Sequence, residues 1–162
     1  LLKMLIDPMM VSARPLRLVL ALCLLSLPLA ADAKGTGGCS VLGAGINCPE
    51  YNAFNAGDTY MDGWITVTCD TAATVTIAIG PGASGDTDNR TMTMTGANPL
   101  EYNLYTDPAR RHLWGNGTTG ATVTVAVSAN QEVYVPVYGR IRDLQPISSG
   151  GYSDGPVITL TW

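Results

Sequence analysis

The chain offers few side chains able to do covalent chemistry. Its one histidine, His112, sits in Arg110-Arg111-His112-Leu113-Trp114. A hydrolytic triad needs a serine and an acid beside such an imidazole, yet no Gly-x-Ser-x-Gly elbow occurs. His112 therefore reads as a solvated surface group, and no catalytic residue is expected. The cysteines at 39, 48 and 69 are too widely spaced for a C-x2-4-C zinc pair. The run Asp86-Thr87-Asp88-Asn89 begins like a calcium loop but lacks the glycine and glutamate that complete one. It reads as a polar hairpin tip. No metal or other cofactor is expected. Asn89-Arg90-Thr91 and Asn116-Gly117-Thr118 match glycosylation sequons and read as turn sequence. The aromatic residues Trp64, Trp114, Trp162, Tyr102, Tyr105 and Tyr138 suggest a second class of function, a sugar-stacking surface on a secreted carbohydrate-binding module. The competing reading places them in the core. Trp64 is the one expected to be exposed, because it lies on the polar face of its segment.

The elements that would carry these residues are strands. Short alternating runs rich in Thr, Val, Ile and Tyr are separated by Gly, Asn, Asp and Pro, and no 3.6-residue apolar stripe of useful length appears. That is the pattern of an antiparallel β-sandwich. Strands are expected at 40–46, 63–70, 73–80, 90–95, 100–105, 121–128, 133–139 and 156–162. In the last, Ile158, Leu160 and Trp162 alternate along one face. An apolar strand placed last must pair inside the domain or with another chain, since open strand edges invite pairing.

Residues 1–33 read as a secretory signal peptide. Arg14 and Arg17 precede a 13-residue apolar run, Leu18–Ala30, and Ala31-Asp32-Ala33 is a small-x-small cleavage site. The run is too short for a transmembrane helix of about 20 residues. The domain then occupies 34–162, with six basic and eleven acidic residues and a net charge of −5. That balance disfavours nucleic acid and anionic membrane surfaces as partners. Export places the cysteines in an oxidising compartment. Cys39–Cys69 is the preferred bridge. Cys48 is then a buried inert thiol, a cross-link to another molecule, or the true partner of one of the others.

Five segments, in order, carry a family resemblance: Gly63–Cys69, Asn89–Met92, Leu100–Asp107 with Arg110–Gly117, Val137–Ile141, and Gly151–Asp154 followed by Val157–Trp162. Together they resemble the spore coat protein U domain, a family that includes subunits of archaic chaperone–usher pili. The resemblance implies an all-β, immunoglobulin-like antiparallel β-sandwich that lacks its final strand. It implies assembly by donor-strand complementation, with a periplasmic chaperone, an outer-membrane usher and a strand-donating neighbour as partners. It implies passage through the periplasm to a cell-surface pilus or coat, or secretion. Cys39 and Cys69 match the family's disulfide positions, and Ile158, Leu160 and Trp162 resemble the strand flanking the acceptor groove. The chain departs from the family in two places. Cys48-Pro49 stands where the family often has an aromatic-Gly pair. Between Ala33 and Cys39 lie only Lys34-Gly-Thr-Gly-Gly38, with no apolar side chain to donate. The expectation is a structural or adhesive subunit that accepts a strand without donating one, as a tip subunit would.

Overall fold

The computed structural model describes residues 37–162. The expected leader and the stub at 34–36 lie outside the described residues. Eight strands form two antiparallel sheets: β1 (Cys39–Asn47), β2 (Thr59–Cys69), β3 (Ala73–Ile79), β4 (Arg90–Met92), β5 (Leu100–Tyr105), β6 (Val123–Val127), β7 (Glu132–Ile141) and β8 (Ile158–Thr161). The larger sheet runs β1-β2-β7-β5-β4 and the smaller β6-β3-β8. This is the expected all-β sandwich. One 3-10 turn, Gly82–Ser84, interrupts the β3–β4 connection. Among the described residues no helix is long and apolar enough to cross a membrane.

Period-2 alternation drives the packing. Along β2, Met61, Ile65, Val67 and Cys69 are buried. Along β3, Val75, Ile77 and Ile79 are buried, and across the gap Val135, Val137 and Ile141 of β7 meet them. Each fully buried aliphatic side chain contributes about 1.5–3 kcal/mol. The long β2–β7 ladder, from Thr59↔Ile141 to Thr68↔Glu132, is the spine of the larger sheet. Gly63 is glycine for a local reason. The β1 backbone passes over it, and a Cβ there would collide with the Gly45 carbonyl.

Several boundaries differ from expectation. β2 begins four residues before Gly63, because Thr59–Asp62 pairs in register with Tyr138–Ile141. β4 stops at Met92, whose partner Leu100 ends the β4–β5 ladder. The segment 86–89 is not a hairpin tip. It lies on a crossover from β3 in the smaller sheet to β4 in the larger. The Asp86 carboxylate turns that crossover by accepting from the Asp88 amide and the Asn89 side chain, and these bonds hold its pKa below the usual carboxylate value.

Candidate functional site

The two long seams of the sandwich are closed differently. On one, Arg90 is 0% exposed. Its Nε donates to the Gly80 carbonyl at 2.9 Å. Nη1 donates to the Thr87 carbonyl and Asn103 Oδ1, and Nη2 to the carbonyls of Ile79 and Trp114. All five N–H donors of the guanidinium are used. They tie β4 and β5 to the end of β3. Burial pushes the Arg90 pKa down, opposed by the nearby Tyr102 and Asp154. Trp114, also buried, donates its indole N–H to the Ile77 carbonyl at 3.1 Å. Its backbone N–H reaches Leu104 O, while Gly115 O accepts from Ile79 N. Segment 114–115 thus bonds to both sheets.

On the other seam no backbone hydrogen bond joins β1 to β8 among the described residues. β8 pairs with β3 alone, from Ile79↔Ile158 to Thr76↔Thr161. A cleft of about 400 Å³ opens there. Its floor is Met61, Ile65, Met92, Leu104 and Val137, one rim is Ala44–Ile46, and the other is Ser153–Pro156 with Ile158. Ile158 and Leu160 are half-buried and face the core. Trp162 lies past the last paired residue and is exposed.

The turn before β8 is braced. Tyr102 Oη donates to Asp154 Oδ2 at 2.6 Å, and Asp154 Oδ1 accepts from the amides of Ala83 and Gly155. Burial, reinforced by the Asp154 carboxylate, pushes the Tyr102 pKa well above the ordinary tyrosine range. Ser153 and Thr93 exchange backbone hydrogen bonds, so the rim is fixed to the chain beyond β4.

Cys39 and Cys69 form a disulfide joining the first residue of β1 to its register partner at the end of β2. Cys48 is free and exposed, which corrects the expectation of a buried thiol. It follows β1 on the open loop rather than lying within a strand. Its Sγ nevertheless turns toward Met61 Sδ at 2.9 Å, on the cleft wall, and this partial burial raises its pKa.

The six aromatics proposed as a sugar platform do not all share one surface. Trp114, Tyr102 and Tyr105 are buried, and only Trp64 and Trp162 are freely exposed. Inward register explains Tyr102, which pairs with Arg90 and Ile141. His112 is exposed, with Nδ1 3.3 Å from Asp107 Oδ1. Among the described residues no group of three His, Cys, Asp or Glu side chains is arranged to hold a metal ion.

Sequence reading missed Arg90 as a structural pin, treating it only as part of a motif. A lone arginine at a strand start ordinarily reads as exposed. A groove beside Ile158 and Leu160 was expected only through the family resemblance, and its floor of Met61, Ile65, Met92, Leu104 and Val137 was not foreseen.

The pattern described as the Spore Coat Protein U domain matches residues 26–159. Protein U of Myxococcus xanthus is 32% identical over 112 residues, covering 65% of this chain and 62% of that protein. A crystal structure titled as the CsuC–CsuE chaperone–tip adhesion subunit pre-assembly complex, from archaic chaperone–usher Csu pili of Acinetobacter baumannii, superposes with a TM-score of 0.51 at 16% identity. That match covers 78% of this chain and 40% of the other, and it supports the sandwich fold. The chain thus spans under two thirds of each relative's length. On the family match, the chain belongs to the Spore Coat Protein U domain family.

Proposed function

We propose that this protein is a structural subunit of a pilus or coat whose open seam receives an extended segment from another polypeptide. The observation that carries this reading is the apolar cleft beside a strand paired on one edge only. Backbone pairing along β8 would supply affinity, and side chains entering the cleft would supply specificity. Ile158 and Leu160 would flank the inserted strand, with Trp162 at the rim. Its partners are then a periplasmic chaperone, an outer-membrane usher and a strand-donating neighbour, and its path runs through the periplasm to the cell surface. A tip position follows if cleavage occurs after Ala33, because Lys34–Gly38 offers no apolar side chains to donate. Family membership and fold support assembly rather than catalysis as the task of the chain.

The test is Leu160→Asp in the producing cell. Leu160 is half-buried, so the domain should still fold, while co-purification with neighbouring subunits should fall at least tenfold. A wild-type protein isolated as a stable lone monomer, with the β8 amides protected from hydrogen exchange along both edges, would overturn the proposal. Mass spectrometry of the mature N-terminus tests the tip assignment separately, and cleavage well upstream of Ala33 would remove it.

A further inference from the structure

The outward face of the β2–β7 ladder carries a second feature, although its Trp64 also borders the cleft. Residues directly opposite in an antiparallel pair share a face. The rungs Thr66↔Tyr134, Trp64↔Pro136, Asp62↔Tyr138 and Tyr60↔Arg140 therefore all point away from the core. Each of these four consecutive rungs holds one aromatic ring. At about 6.8 Å per rung, the rings form a track roughly 20 Å long. Trp64 is 57% exposed, Tyr60 57% and Tyr134 63%. Large rings left in water on a regular sheet forgo the burial that usually stabilises them, and contiguous exposed apolar surface marks a binding site.

The surroundings define the occupant. Across from each ring stands a polar residue or a proline, so the apolar line is one ring wide. That shape suits a chain polymer better than the broad patch of about 800 Å² per partner found in stable protein interfaces. The charges beside the track are already engaged. Arg110 pairs with Asp62 at 2.8 Å and lies over the Tyr60 ring at 4.4 Å and the Tyr138 ring at 5.8 Å. These two rings each have one face taken, so Trp64 and Tyr134 are the freer stacking surfaces. Arg140 faces Asp58 at 3.6 Å. Glu132 accepts from the Tyr134 hydroxyl at 2.8 Å. Nothing on the face calls for a polyanion or a polycation. Ring planes flanked by hydrogen-bonding groups complement pyranose rings, which offer C–H faces and hydroxyl edges. We infer that this track binds a linear, uncharged polysaccharide, with Trp64 as its central stacking residue.

Isothermal titration of the purified subunit with cellohexaose, chitohexaose and mannohexaose tests this. At least one should bind. Trp64→Ala should weaken that binding about tenfold or more and Tyr134→Ala about threefold, the scale of a lost aromatic contact. Trp64→Phe, which keeps a ring, should stay within about threefold of wild type and so separate stacking from misfolding. Phe54→Ala, an exposed aromatic off the ladder, should change nothing. Absence of binding to all three sugars would overturn the inference, as would full binding by Trp64→Ala. Self-association seen by sedimentation, lost in Trp64→Ala, would also overturn it, because the face would then be a protein interface.

Discussion

The two seams of this sandwich solve one problem in opposite ways. Between β4–β5 and β3, a buried arginine and a buried tryptophan donate to backbone carbonyls at the sheet ends. Between β1 and β8 the described residues supply no such groups, and the floor side chains face a cleft. On the function proposed above, a strand from another polypeptide would pair with the free edge of β8 and cover the apolar floor. The closed seam would then make the subunit a body, and the open one a component.

The largest effect is expected at the closed seam. Arg90→Met keeps the bulk and removes five hydrogen bonds, leaving the carbonyls of Ile79, Gly80, Thr87 and Trp114 without these donors. The loss should be about 3–5 kcal/mol, the cost of breaking a buried charged network, read as a shift in the urea midpoint of the purified protein. A loss below about 1 kcal/mol would mean that Trp114 and segment 114–115 hold this seam alone.

This contrast was only partly legible in the sequence. Strand existence was readable because alternation in 63–69, 73–79 and 100–105 reflects one buried face per strand. The location of the seams was not. Whether Ile158 and Leu160 border a gap depends on the order β6-β3-β8, which long-range pairing sets and local pattern does not. The aromatic track was hidden for a similar reason. Tyr60 and Trp64 sit on β2 while Tyr134 and Tyr138 sit on β7, and they form one line only in the register that opposes Trp64 to Pro136. Arg90 escaped notice because its environment, unlike its charge, comes largely from three other segments, at 79–80, 103 and 114.

A middle-sized effect belongs to Tyr102, which stands between the seams. Its register partner is Arg90, and its hydroxyl holds Asp154 on the cleft rim. Its folded pKa is raised, first by burial and then by the carboxylate. The folded state therefore holds the phenolic proton where the unfolded chain, with a pKa near 10, releases it. Stability from this group is complete below about pH 10 and declines as pH rises above it. Tyr102→Phe should cost about 1 kcal/mol at neutral pH and flatten the alkaline side of the stability profile. An unchanged alkaline slope would show that another group controls it, and that the rim is not tied to the closed seam through this hydroxyl.

The smallest effect on stability is expected at the open seam, at Cys48. The residue is exposed and outside the sheets, so Cys48→Ser should shift the urea midpoint by less than about 0.5 kcal/mol. Its consequence for assembly is different. The thiol lies on the cleft wall against Met61, and a bulky maleimide attached there would occupy space an inserted strand needs. Partial burial raises the thiol pKa, so labelling should be slow near neutral pH and accelerate at higher pH, since the thiolate is the nucleophile. A subunit labelled before assembly should take up its partner far less than one carrying Cys48→Ser, although both fold equally well. Equal uptake by the two would place the partner away from the cleft and leave the open seam without its proposed role.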